Sequence, residues 1–237
     1  MLNLILNSGS IVEVLTTAIA VLVAAFGAIM FHECAHGWVA LKCGDNTAKL
    51  SGRLNLNPAK HFDMVGLLMF MVAGFGWAKP VPINPNNFRH RTRGIVLVSL
   101  AGVVTNVLLA FLSFGLLNLV QLIFNQVTIW GNFTVWFYQF WYYLFLFSVI
   151  VNISLAAFNI LPLFPLDGYR VIEAFAPNSR FCRFMRRYGS YILLALILVS
   201  YILGRYFWFL DIFGMYINWV RNGMLGIMSK IWGAVFV

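Results

Sequence analysis

The chain alternates between long apolar stretches and short polar ones. The first apolar run covers residues 11–31 with Glu13 as its single charge, and the span it predicts extends over 11–37. At about 20 residues per crossing, this is one transmembrane helix. Residues 42–63 are polar, with Gly44, Asp45, Asn46, Asn55, Asn57 and Pro58, and read as a loop. The next run, 64–75, is apolar but has only a dozen residues, a length typical of re-entrant segments. Pro80, Pro82 and Pro85 follow it and enforce extended backbone. The reading for 64–85 is therefore a re-entrant hairpin or loop.

From 94 to 166 the chain has no Asp, Glu, Lys or Arg. Its two flanks, Arg93 and Arg170, are both basic, so an even number of crossings is required and two fit. The polar interruption at 118–132 marks the turn, which places spans at about 95–117 and 136–161. Trp130, Trp136, Tyr138, Trp141, Tyr142 and Tyr143 cluster where an interfacial aromatic belt belongs. Arg180, Arg183, Arg186 and Arg187 close a second basic loop before a span at 188–210. Residues 212–237 are either a fifth span or an amphipathic helix lying in the interface. The fold class is all-α polytopic: a helical bundle of about four to six transmembrane helices forming a single domain over 1–237.

Composition agrees and excludes other classes. The chain is 62% hydrophobic and 10% charged, against about 25% charged in soluble domains, so neither a soluble fold nor disorder is compatible. The formal net charge of +9 raises nucleic acid as a partner. Thirteen of the 16 Lys and Arg, however, lie in the windows 42–93 and 170–187, which is the distribution of cytoplasmic loops. No nucleic-acid partner is expected. Three cysteines without a CxxC pair give neither a disulfide framework nor a Cys-rich zinc site. Residues 1–10 lack a basic n-region, so the first run reads as a retained span.

Within this apolar frame, residues 32–36 read HECAH. On a helix, positions i and i+4 share a face, so His32 and His36 present two imidazoles to one metal while Glu33 holds a water beside it. Ionisable groups at the end of an apolar span are functional candidates by default. A zinc site needs a third protein ligand and an open position. With only seven acids in the chain, Asp167 and Glu173 remain as candidates. Asp167 is favoured because Pro162 and Pro165 break the helix before it and Gly168 permits a sharp turn after it.

Three blocks, FHECAH at 31–36, GRLNLNPAKHFD at 52–63 and NILPLFPLDG at 159–168, make the chain resemble the site-2 proteases, intramembrane zinc metalloproteases. Asn159, Pro162, Asp167 and Gly168 match the family's NxxPxxxxDG motif. The resemblance implies a three-helix catalytic core, one catalytic Zn2+ held by His32, His36 and Asp167, and peptide bond hydrolysis in or near the membrane. The stretch 101–106 looks like the family's AGPxxN segment with Val103 replacing proline. No PDZ-like or CBS-like module fits, which makes this a minimal member.

In the expected reaction Glu33 is the general base, and Asn159, two helical turns before Asp167, is the oxyanion donor. Substrate binding is assigned to an extended edge containing Val81 and Ile83, which pairs by strand addition with an unwound transmembrane segment of a membrane-protein substrate. Asn106 is open to three roles: supporting a ligand, facing substrate, or bonding between helices. His61 and His90 read as solvated loop residues. The expected location is a prokaryotic cell membrane, with the site facing the cytoplasm and the process being regulated intramembrane proteolysis. The alternatives are an inactive zinc-binding scaffold, an ion-binding transporter, or a zincin-like site using Glu173.

Overall fold

The structure is a computed structural model that describes residues 11–57, 60, 63, 66, 79–126, 131–204 and 206–236. Seven α-helices appear among them: α1 (Ile11–Cys43), α2 (Thr47–Leu50), α3 (Arg91–Asn125), α4 (Asn132–Asn159), α5 (Asp167–Phe175), α6 (Arg180–Ile202) and α7 (Ile212–Phe236). No strand occurs among the described residues. Four helices, α1, α3, α4 and α6, are long and apolar enough to cross a membrane. The chain is an all-α, polytopic bundle.

Helices α1, α3 and α4 pack on one another more extensively than any other elements and form the core. The reason is visible in α1. Ala20, Ala24, Ala28, His32, His36 and Ala40 recur every fourth residue and are all buried. Small side chains let neighbouring backbones approach closely, the usual means of association where lipid removes the hydrophobic drive. The same stripe that admits α3 and α4 carries the two histidines. On α3 the facing positions are Val98, Gly102, Asn106 and Ala110, again at intervals of four. Further along, the Ser113 and Ser148 hydroxyls meet at 2.8 Å between α3 and α4.

Several boundaries differ from the sequence reading. Helix α3 continues through 118–125, because Asn118 turns its amide inward and donates to the Phe114 carbonyl at 2.7 Å. A polar residue that satisfies itself on its own helix does not mark a turn. Helix α4 accordingly starts at Asn132 and ends at Asn159. Arg180, Arg183, Arg186 and Arg187 lie in the first two turns of α6 rather than in a loop, and the helix ends at Ile202. Ser179 caps it by accepting from the Cys182 N–H. Most of the re-entrant segment assigned to 64–85 falls outside the described residues, as does His61.

Helix α7 packs lengthwise on α3 and α4. Tyr216 donates to the Ala157 carbonyl at 3.0 Å, Met228 sits with Ala110, Val149 and Ile153, and Trp232 donates to the Phe111 carbonyl at 3.0 Å. A Cβ at Gly115 would lie 2.4 Å from the Trp232 ring. The indole therefore docks directly on the α3 backbone, and α7 lies along the bundle.

Candidate metal centre

His32 and His36 face inward from α1, and Asp167, the first residue of α5, approaches from the other side. The Nε2 atoms of the two histidines are 3.0 Å apart, and each lies 3.3 Å (His32) or 3.2 Å (His36) from Asp167 Oδ2. All three residues are buried, at 5–6% exposed. Ligand atoms about 2.0–2.1 Å from a tetrahedral zinc stand roughly 3.3 Å from each other, so the observed spacing is that of a coordination shell.

The protonation pattern points the same way. His32 Nδ1 lies 2.6 Å from Asn106 Oδ1, and His36 Nδ1 lies 2.7 Å from the Val98 carbonyl. Both partners are acceptors, so both Nδ1 atoms carry the proton and both Nε2 atoms present lone pairs. Asp167 Oδ2 is buried and has no hydrogen-bond partner. With both rings neutral in this tautomer, three lone-pair donors converge on one point, an arrangement that is costly unless a cation joins them. Among the described residues, these three form the only group of His, Cys, Asp and Glu disposed in this way.

The orientation of Asn106 is set by a relay across three helices. Its amide is fully buried, and Nδ2 donates to Asn152 Oδ1 at 2.7 Å. Asn152 in turn donates to the Ser148 carbonyl at 2.8 Å. Each donor requires the next acceptor, which leaves Asn106 Oδ1 aimed at His32. Such partners fix the ring and tautomer of a metal-ligating histidine. Asn106 therefore stands behind His32, with no exposed surface. Asn152 was not identified from sequence; an asparagine in an uncharged apolar span was the available signal.

Two glycines make room for the ligands. A Cβ at Gly102 would stand 2.4 Å from His32 Cε1 and 2.6 Å from both ring nitrogens. A Cβ at Gly168 would stand 2.1 Å from the Ile160 carbonyl oxygen. Gly168 lies within α5 and is not among the positive-φ glycines, Gly44 and Gly52. It is needed for the close approach of the 160–166 connection, not for the sharp turn expected of it.

Glu33 and the segment after residue 79 are joined. The Val81 N–H donates to Glu33 Oε2 at 2.9 Å, which orients the carboxylate next to the two histidines. The segment is held on both sides. Arg53 donates to the carbonyls of Lys79 and Pro80, Asn84 N–H donates to Asp45 at 2.7 Å, and Arg89 N–H donates to Cys43 at 3.0 Å. Val81 is buried, and Ile83 packs with Ala40, Phe88 and Val98. Of the edge assigned to Val81 and Ile83 for strand addition, the Val81 donor is committed to Glu33 and both side chains face the protein.

The remaining candidates are placed as follows. Asn159 donates to the Leu155 carbonyl at 3.1 Å, one turn back on its own helix. Glu173 accepts from the Tyr169 hydroxyl at 3.0 Å and pairs with Arg186 at 2.9 Å, so it is engaged away from the two histidines. The Cys34 thiol donates to the Asn55 carbonyl at 3.3 Å and contributes no sulfur to the centre. His90 is the N-cap residue of α3. Asp45 is fully buried, with its carboxyl held below the ordinary range: burial opposes this, but donors from Thr47, Asn84 and Asn87 outweigh it.

Residues 18–200 match the sequence profile of Peptidase family M50. A candidate zinc metalloprotease of Bacillus subtilis (strain 168), YwhC, is 37% identical over 209 residues, covering 86% of this chain and 87% of that protein. Candidate zinc metalloproteases named Rip2 are 25% identical over 223 residues in Mycobacterium tuberculosis and 26% identical over 220 residues in Mycolicibacterium smegmatis. These alignments cover 88% of this chain and 78% of each relative. No solved structure matches. With that profile laid over the helices that carry His32, His36 and Asp167, the chain belongs to peptidase family M50, the site-2 protease family.

Proposed function

We propose that this metalloprotease hydrolyses a peptide bond in or near a transmembrane segment of a membrane-protein substrate, in the manner of regulated intramembrane proteolysis. The observation that carries the reading is the convergence of His32 Nε2, His36 Nε2 and Asp167 Oδ2 beside a carboxylate, within a small-residue stripe of a membrane bundle. His32 Nε2, His36 Nε2 and Asp167 Oδ2 would hold one zinc. Bound there, it supplies Lewis acidity, polarising the scissile carbonyl and lowering the pKa of water toward about 7.

The protein's own groups carry the proton. Glu33, oriented by the Val81 N–H, accepts it from the attacking water and returns it to the leaving amine. Asn159 supports the oxyanion only by exchanging its bond to Leu155 for one to substrate. Water reaches the centre from the end where the basic segments lie, the cytoplasmic face under the positive-inside rule. Cleavage of single-span substrates by the reconstituted protein tests the reading. Wild type cleaves, while Glu33→Gln keeps its metal and loses at least about a hundredfold in rate; cleavage by Glu33→Gln at the wild-type rate overturns the mechanism.

A further inference from the structure

A second polar site lies beside the metal centre. A cavity of about 640 Å3 opens between the first turns of α3, the outer face of α5 and the start of α6, within the roughly 300–1,000 Å3 of small-molecule sites. Arg91, Arg170 and Arg186 line it against a single carboxylate, Glu173. Arg186 is already paired with Glu173 at 2.9 Å and donates to the Pro177 carbonyl at 2.8 Å. The Arg91 and Arg170 guanidinium groups have neither a hydrogen bond nor an ion pair among the described residues. Ile95 and Val98 supply an apolar wall on the deeper side.

From this arrangement we infer that the cavity binds a phosphate-bearing anion through Arg91 and Arg170. Two unspent guanidinium forks, drawn from different helices and converging on one cavity, match the oxygen geometry of phosphate. A phosphate alone leaves most of the volume empty, and the Ile95–Val98 wall suits an attached apolar or ring-bearing group. Arg91 opens α3, a candidate membrane span, so the cavity lies at the depth of lipid headgroups, where basic pockets between helices take anionic lipids. The site adjoins the metal centre: the Val98 carbonyl holds His36, and Arg170 follows Asp167 by one helical turn.

Native mass spectrometry of the detergent-solubilised full chain tests this without reference to proteolysis. The probes are phosphatidylglycerol and phosphatidylcholine in one arm, and inorganic phosphate and ADP in the other. One phosphatidylglycerol retained in preference to phosphatidylcholine, with affinity reduced at least about tenfold in Arg91→Gln/Arg170→Gln, supports the site with a lipid occupant. Retention of phosphate or ADP with the same sensitivity, and no lipid preference, supports it with a soluble occupant. The charge-matched control Arg180→Gln/Arg187→Gln, on α6 outside the cavity, keeps wild-type affinity. Equal loss in the control and the cavity variant, unchanged binding in the cavity variant, or binding of none of the four probes overturns the proposal. Because both cavity arginines are exposed, the cavity variant retains wild-type zinc content and melting temperature, which separates loss of the site from loss of the fold.

Discussion

Replacing Asn106 with Ala removes the only acceptor of the His32 Nδ1 proton among the described residues. The bond is 2.6 Å long and lies at a residue with no exposed surface, so water does not take over. A buried donor left unpaired costs about 1–3 kcal/mol, which at 1.36 kcal/mol per tenfold is roughly fivefold to 150-fold in affinity. That interval brackets the 10–100-fold typical of a lost ligand-supporting partner. The ring can also move its proton to Nε2, which blocks the ligating lone pair, so zinc binding carries the loss more than folding does. Zinc affinity measured by competition with a chelator of known strength, on protein that elutes as wild type, reads the effect. Asn152→Ala leaves Asn106 Oδ1 in place and loses less. Zinc affinity of Asn106→Ala within about threefold of wild type, or a larger loss for Asn152→Ala, refutes the relay.

Asp167→Ala loses bound zinc while Glu173→Ala keeps it, by metal analysis of the two purified variants, since Glu173 is held by Tyr169 and Arg186. Gly102→Ala drives a methyl into the His32 ring and destabilises the bundle by about 1–3 kcal/mol, with zinc affinity falling at least tenfold; a wild-type melting curve and zinc affinity would show that the ring has other room. The Asp45 carboxyl lies below its ordinary value in the folded state, so its contribution to stability is complete above the unfolded value of about 3.9 and is lost as pH falls through the folded one. The stability difference between wild type and Asp45→Asn is therefore constant from neutral pH to about pH 5 and closes below about pH 4 in denaturation series.

Much of the site is legible in the sequence because a bilayer penalises polar groups. His32, Glu33, His36 and Asp167 stand out from apolar surroundings, and shared basic flanks put the two histidines and the aspartate at one end of the bundle. Residues that act through space left empty are not legible this way. Gly102 and Gly168 matter for what a Cβ would strike, and only the packed structure shows the His32 ring or the Ile160 carbonyl there. Local polarity also misleads at helix ends. Asn118 and the arginines at 180–187 look like turn and loop, yet one bonds back to its own helix and the others lie in the first turns of α6. Val81 shows the limit of reading extended backbone as a free edge, since its N–H is already given to Glu33.

The zinc K-edge absorption spectrum of wild-type protein purified without added metal tests the centre most directly. Coordination by two imidazole nitrogens and oxygen at about 2.0–2.1 Å, with one zinc per chain and the signal absent in His36→Ala, is the predicted result. A sulfur shell near 2.3 Å, or a purified, folded protein that retains no zinc, would contradict the assignment of His32, His36 and Asp167.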